Sequence, residues 1–218
     1  MAELILVRHG QASFGADDYD RLSELGWRQS RWLGEHFRAR GVRFDRVLRG
    51  TLRRHEETLR GILEGMQASA DDAADAGLNE YDSHALLAAH GGRPEGGDRR
   101  AHFRLLREAL GAWTEGRLAG DAHEPFEAFR ARVLAALEPL RDDASAARVL
   151  VVTSGGPIST FLAAVTGMPQ RMMVELNLQT RNSGVSEFRA DSRGFRLVSF
   201  NNVPHLDRPD RADALTYA

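Results

Sequence analysis

The hexapeptide Arg148-Val149-Leu150-Val151-Val152-Thr153 restricts the fold more than any other part of the chain. It is continuous, mostly apolar and rich in β-branched residues, with no alternation of polar and apolar positions. Such a run suits a central strand covered on both faces, as a parallel sheet with helices above and below requires. It ends at Ser154-Gly155-Gly156-Pro157 and passes into an apolar segment read as a helix over 157–166. Pro157 suits the first position of that helix, where no N–H is needed.

Other segments extend the pattern. Residues 3–7 (ELILV) form a shorter apolar run ending at Arg8-His9-Gly10. Residues 44–48 read as a second strand, and Leu78-Asn79-Glu80 as a short third strand end. Residues 183–189 and 195–200 suggest a hairpin turning between Asp191 and Gly194. Helices are expected from Ser23, as N-cap, to about Arg40, with Gly41 just beyond. Others are expected over 52–67, 98–118 and 124–142. Residues 68–77 read as a polar connection and 83–97 as loop, with HGGRPEGG the clearest turn cluster. Strands alternating with helices predict a single α/β domain over 1–218, a three-layer α/β/α sandwich on a mainly parallel central sheet. In such sheets, sites form beyond the carboxyl ends of the strands. Arg8-His9-Gly10, Glu80 and Ser154-Gly155-Gly156 all fall there.

Composition limits the chemistry. The 218 residues are 42% hydrophobic and 28% charged, with a net charge of −2. Nothing in that balance points to a nucleic-acid or membrane surface. No cysteine is present, so disulfide and thiol chemistry are excluded. The N-terminal apolar run is too short for a signal peptide, and no apolar run approaches membrane-spanning length, which predicts a cytoplasmic protein. All 29 basic residues are arginine. Arginine alone therefore says little about phosphate binding; only its place in a motif counts. The eight histidines show neither H-x-H nor H-E-x-x-H spacing, and no metal site is expected.

His9 is the most informative candidate. An imidazole just past a buried strand end can attack phosphorus while neutral, as its ordinary pKa of ~6.5 keeps it at pH 7. Arg8 can fork onto phosphate oxygens. The plain alternative is a loop histidine beside a surface arginine. The turn at 154–157 offers backbone N–H groups at a helix N-terminus, a natural anion site.

The segment from Leu4 to Leu33, with RHGQAS, LSELGWRQS and WLG, resembles the start of the histidine phosphatase superfamily, the phosphoglycerate-mutase-like fold. The resemblance continues in order along the chain. It implies that His9 becomes phosphorylated and that Arg8 binds the phosphoryl group. Gly50-Thr51-Leu52-Arg53-Arg54-His55-Glu56-Glu57-Thr58 resembles the family's S-P-L-x-R-A-x-x-T, which makes Arg54 the second phosphate-binding arginine. Gly50, Thr51 and His55 depart from that pattern. Leu78-Asn79-Glu80 resembles an L-x-E element whose glutamate acts as general acid, with Asp82 as runner-up. Ser154-Gly155-Gly156 stands where the family carries H-G-G, so Ser154 replaces the second active-site histidine. Ser154 and Gly155 are then expected at the phosphate, and Gln11, Ser13 and Asp82 as substrate contacts. Asn182-Ser183 and Phe200-Asn201-Asn202-Val203-Pro204-His205-Leu206 resemble structural elements of the family. Residues of about 81–130 match no subgroup and are expected to form a helical cap that sets the substrate.

The resemblance implies a metal-independent and cofactor-independent phosphatase acting on a small phosphomonoester, with activity weakened by Ser154 and Gly50. Two other readings remain: a protein of the same fold that binds a phosphorylated ligand without turnover, and a mutase, disfavoured by the missing histidine. A small phosphorylated substrate or ligand is the expected partner, with a homodimer as a further expectation.

Overall fold

A computed structural model describes residues 2–13, 20–92, 99–120, 122–141 and 147–217. Strand β1 (Ala2–Arg8) is followed by α1 (Glu24–Ala39), β2 (Arg46–Arg49), α2 (Arg53–Met66) and β3 (Asp72–Ala74). Then come α3 (Ser83–Ala89), α4 (Arg99–Thr114), α5 (Phe126–Leu137), β4 (Arg148–Thr153), α6 (Gly155–Thr166), α7 (Gln170–Gln179), β5 (Val185–Asp191) and β6 (Gly194–Asn202). The six strands form one sheet in the order β3-β2-β4-β1-β5-β6. The first four are mutually parallel, and β5 and β6 add antiparallel to the β1 edge.

The apolar run 148–153 is indeed central, paired with β1 on one side and β2 on the other. Strand alternation divides the core into two layers. Leu4, Leu6, Val149 and Val151 face a cluster that takes in Leu86, Leu110, Trp113, Phe129 and Phe161 from the later helices. Ile5, Val7, Leu150 and Val152 face Leu33, Phe37, Leu59 and Ile62 of α1 and α2. Helices therefore cover both faces, giving the expected three-layer architecture. Each such side chain, fully buried, contributes about 1.5–3 kcal/mol of transfer free energy. Among the described residues no helix is long and apolar enough to cross a membrane.

Local chemistry explains α1. Ser23 caps it by accepting from Gly26 N–H at 3.1 Å, and Gly41 follows its end at φ +64°. Several boundaries differ from expectation. Residues 76–78 form a 3-10 turn, and the third parallel strand lies earlier, at Asp72–Ala74, inside the segment read as a polar connection. That strand sits at the sheet edge with all three residues exposed, so it carries no apolar signal. Part of the segment read as loop is α3, capped by Asp82; 93–97 of the turn cluster lie outside the described residues. Helix α6 starts at Gly155, which makes Pro157 its third residue rather than its first. Helix α7 had no counterpart in the sequence reading.

Candidate active site

The carboxyl ends of the adjacent strands β1 and β4 build the site. His9 directly follows β1, and its backbone N–H donates to Thr153 O at 2.8 Å, tying the two strand ends together. Its carbonyl accepts from Ser183 N–H at 3.1 Å and from Asn182 Nδ2 at 3.4 Å. The next residue is anchored too: Gly10 N–H donates to Thr58 Oγ1 at 3.0 Å, and that hydroxyl donates to Arg54 O at 2.6 Å. Backbone and side chain together leave the imidazole little freedom.

The His9 ring is 2.7 Å from Gly10 O through Nδ1. A carbonyl only accepts, so Nδ1 carries the proton and Nε2 keeps the lone pair. Burial, then the charges of Arg54 and Arg8 and the neighbouring His55, hold the His9 pKa well below its ordinary value. The ring is therefore neutral at pH 7, the form a nucleophile needs.

Two guanidinium groups flank it, both nearly buried. Arg8 Nη1 donates to Thr180 O at 2.5 Å and to Thr180 Oγ1 at 3.0 Å. Arg54 Nη1 pairs with Asp20 Oδ1 at 2.6 Å, while Asp20 Oδ2 accepts from Arg53 N–H at the start of α2.

Glu80 enters from the segment after the 3-10 turn. Thr153 Oγ1 donates to Leu78 O at 2.5 Å, Arg132 Nη1 to Asn79 O at 2.8 Å, and Asn79 Oδ1 accepts from Thr51 N–H at 2.7 Å. The Glu80 carboxylate accepts from Gly156 N–H at 3.1 and 3.2 Å. Desolvation raises its pKa and outweighs the opposing pull of that N–H and of Arg54 and Arg8. A carboxyl with a raised pKa keeps its proton to higher pH and can give it to a leaving oxygen.

Ser154, fully buried, precedes α6, and its Oγ lies 2.7 Å from His55 Nε2. Gly155 is the first residue of α6 and lies against Asn177 and Thr180. The expected substrate contacts fare differently. Gln11 Oε1 accepts from Ser23 Oγ at 2.7 Å, which ties that side chain to the α1 cap. Ser13 is partly exposed, next to residues outside the described set. Asp82 caps α3 through Oδ1, which accepts from His84 and Ala85 N–H at 2.9 and 3.0 Å.

Sequence reasoning missed Asp20, His55, Thr180 and Gln29. Gln29 Oε1 accepts from Gln11 N–H at 2.8 Å, and its Nε2 donates to Ala214 O. Its signal was available: a polar residue on the apolar face of α1. Among the described residues no cluster of three metal-ligating side chains occurs.

The fold is shared with known proteins. The model of the histidine phosphatase superfamily, branch 1, matches residues 4–203, and the chain belongs to that superfamily. It is 29% identical over 205 residues to a 2,3-bisphosphoglycerate-dependent phosphoglycerate mutase of Mesorhizobium japonicum, covering 87% of this chain and 93% of that one. In structure it is similar to the alpha-ribazole phosphatase of Shigella flexneri, with a TM-score of 0.65, 24% identity, and 92% and 96% of the two chains covered. It is also similar to the phosphoglycerate mutase of Bacillus anthracis, with a TM-score of 0.67, 18% identity, and 94% of each chain covered. Phosphatases and mutases thus both stand among its relatives.

Proposed function

We propose that this protein is a phosphatase that hydrolyses a small phosphomonoester through a phosphohistidine on His9. The observation that carries the reading is the fixed, neutral His9 imidazole, with Nδ1–H donated to Gly10 and Nε2 left for attack. Nε2 forms a bond to phosphorus as the ester P–O bond breaks. The Glu80 carboxyl gives its proton to the departing alkoxide. Water then attacks the phosphoryl group, Glu80 takes back a proton, and the P–N bond breaks to free His9 and phosphate. Arg8 and Arg54 balance charge on the equatorial oxygens, where positioning and electrostatics supply most of the rate. The proposed machinery needs no metal or cofactor. Helices α3 and α4, within residues 81–130, are proposed to cap the site and select the substrate.

The test is phosphate release from a panel of phosphomonoesters, paired with detection of acid-labile phosphate on the protein. Both are expected, and both should vanish in His9→Ala. Turnover that survives that substitution would overturn the mechanism. The mutase relatives favour a second reading, transfer between phosphoglycerates. Transfer of phosphate from 2,3-bisphosphoglycerate to a monophosphoglycerate faster than to water would support it. Binding of phosphoesters without either reaction would instead make the protein a phospho-ligand receptor.

A further inference from the structure

His55 is buried within the site, and the proposed reaction gives it no task. It stands near the start of α2 with no exposed surface. Its ring centroid is 5.9 Å from that of His9. Its Nε2 meets Ser154 Oγ at 2.7 Å, and its Nδ1 has no hydrogen-bond partner among the described residues. Nδ1 points at Gly50, where an added Cβ would stand only 2.1 Å away. Gly50 and His55 are therefore one fit, since any larger residue at 50 would expel the imidazole.

The proton on this ring can be placed by elimination. A proton on Nδ1 would face the Gly50 carbon with no acceptor, and an unsatisfied buried donor costs about 1–3 kcal/mol. A lone pair there is the better-tolerated state. Nε2 then carries the proton and donates to Ser154 Oγ. Burial, followed by the charges of Arg54 and Arg49, holds the ring neutral, in keeping with a single ring proton.

Ser154 is the other member of the pair. It occupies the N-cap position of α6, where a serine oxygen ordinarily accepts from the second or third N–H of the helix. Here the second N–H, that of Gly156, goes to Glu80, and the third residue is Pro157, which has none. The hydroxyl makes no capping bond. With its oxygen accepting from His55, the Ser154 hydrogen remains to donate.

We propose that His55 is a positioning residue for phosphoryl transfer: its Nε2–H holds the Ser154 oxygen so that the Ser154 hydroxyl donates to the phosphoryl group at His9. The inference rests on the phosphatase reading. Two side chains from different elements, α2 and the β4–α6 turn, thereby serve where the family resemblance expects one histidine at 154. Donors in series polarise one another, which strengthens the bond to the phosphoryl oxygen.

The experiment is a double-mutant cycle on the whole protein. Ser154→Ala and His55→Ala should each lower kcat by on the order of 10–10²-fold, with KM little changed. The double variant should be no slower than the slower single one, and His55→Gln, which keeps a donor near the Nε2 position, should recover most of the rate. Losses that multiply in the double variant would overturn the proposal. So would a His55→Ala protein that loses only thermal stability, or a nitrogen NMR signature placing the proton on Nδ1. If His55→Ala does not fold, His55→Gln and the NMR tautomer decide. If the native protein releases no phosphate at all, the phosphatase reading fails by itself. The pair is then judged on binding of inorganic phosphate: equal weakening by Ser154→Ala and His55→Ala supports it, and unchanged binding overturns it.

Discussion

At the scale of single residues, Asp20 and Glu80 pull the site in opposite directions. Asp20 pairs with Arg54 at 2.6 Å, so its carboxylate draws on the charge that Arg54 would offer a phosphoryl group. Asp20→Asn keeps an oxygen for Arg53 N–H but removes the negative charge. It should lower KM for phosphomonoesters several-fold, and a raised KM would mean that Asp20 serves mainly to aim Arg54. Glu80 acts through its proton. Its raised pKa keeps the carboxyl protonated to higher pH than usual, and kcat/KM should fall as pH rises through that value. Glu80→Gln should remove this limb and slow alkyl phosphates by about 10²–10⁴-fold. Phosphorylation of His9 by p-nitrophenyl phosphate, whose leaving group needs no proton, should suffer far less; equal losses for both would remove Glu80 from the acid role. His9, Arg8, Glu80 and Ser154 were legible because each follows a strand end or lies in an ordered series of short patterns. His55 and Asp20 were not. His55 lies in an arginine-rich helix start that reads as solvated surface, and Asp20 reaches Arg54 across 34 positions, a contact that no local pattern encodes.

Elements reveal a second kind of omission. The close packing of α1 on α2 is not visible as an apolar pattern, because part of it is made by missing side chains. A Cβ on Gly34 of α1 would stand 2.0 Å from Ile62 O of α2. Neither backbone can yield without shifting a whole helix. Both helices also hold the site: Thr58 of α2 anchors Gly10, and Gln29 of α1 anchors Gln11. Gly34→Ala should therefore destabilise the fold by about 1–3 kcal/mol, the usual cost of overpacking. It should slow turnover as well, since Gln29 of α1 holds Gln11, two residues after His9. Urea denaturation and kcat measured on the same sample check both; a loss of stability with kcat intact would show that His9 is placed independently of helix spacing. The edge strand β3 and helix α7 went unread for related reasons. The first is short, polar and exposed, and the second follows Pro169 with only Met173, Val174 and Asn177 buried. The central strands announced themselves because burial on both faces demands unbroken apolar runs.

Across the whole molecule, three buried histidines are held below their ordinary pKa. Burial, with smaller pushes from His36 and Arg211, brings His205 down from 6.5 to about 3, and its Nε2 pairs with Ser183 Oγ at 2.7 Å. His9 and His55 are shifted in the same direction. In each case the folded chain binds the proton more weakly than the unfolded chain does. The stabilisation is therefore complete above the ordinary value of 6.5 and is lost as pH falls through it toward the folded value. Each histidine that takes up a proton on unfolding adds about 1.4 kcal/mol of lost stability per pH unit within that window. Glu80 runs the other way: its raised pKa favours folding below 4.5 and loses that contribution as pH rises. The melting temperature should thus be flat from pH 8 to about 6.5 and fall steeply toward pH 5, before most carboxylates titrate. His205→Gln keeps a donor for Ser183 yet takes up no proton. It should lower the melting temperature at pH 8 but make the fall between pH 6.5 and 5 shallower, one depressed histidine having been removed. An unchanged slope would place the acid sensitivity elsewhere. His205 also lies close to the site, because its partner Ser183 donates its backbone N–H to the His9 carbonyl at 3.1 Å.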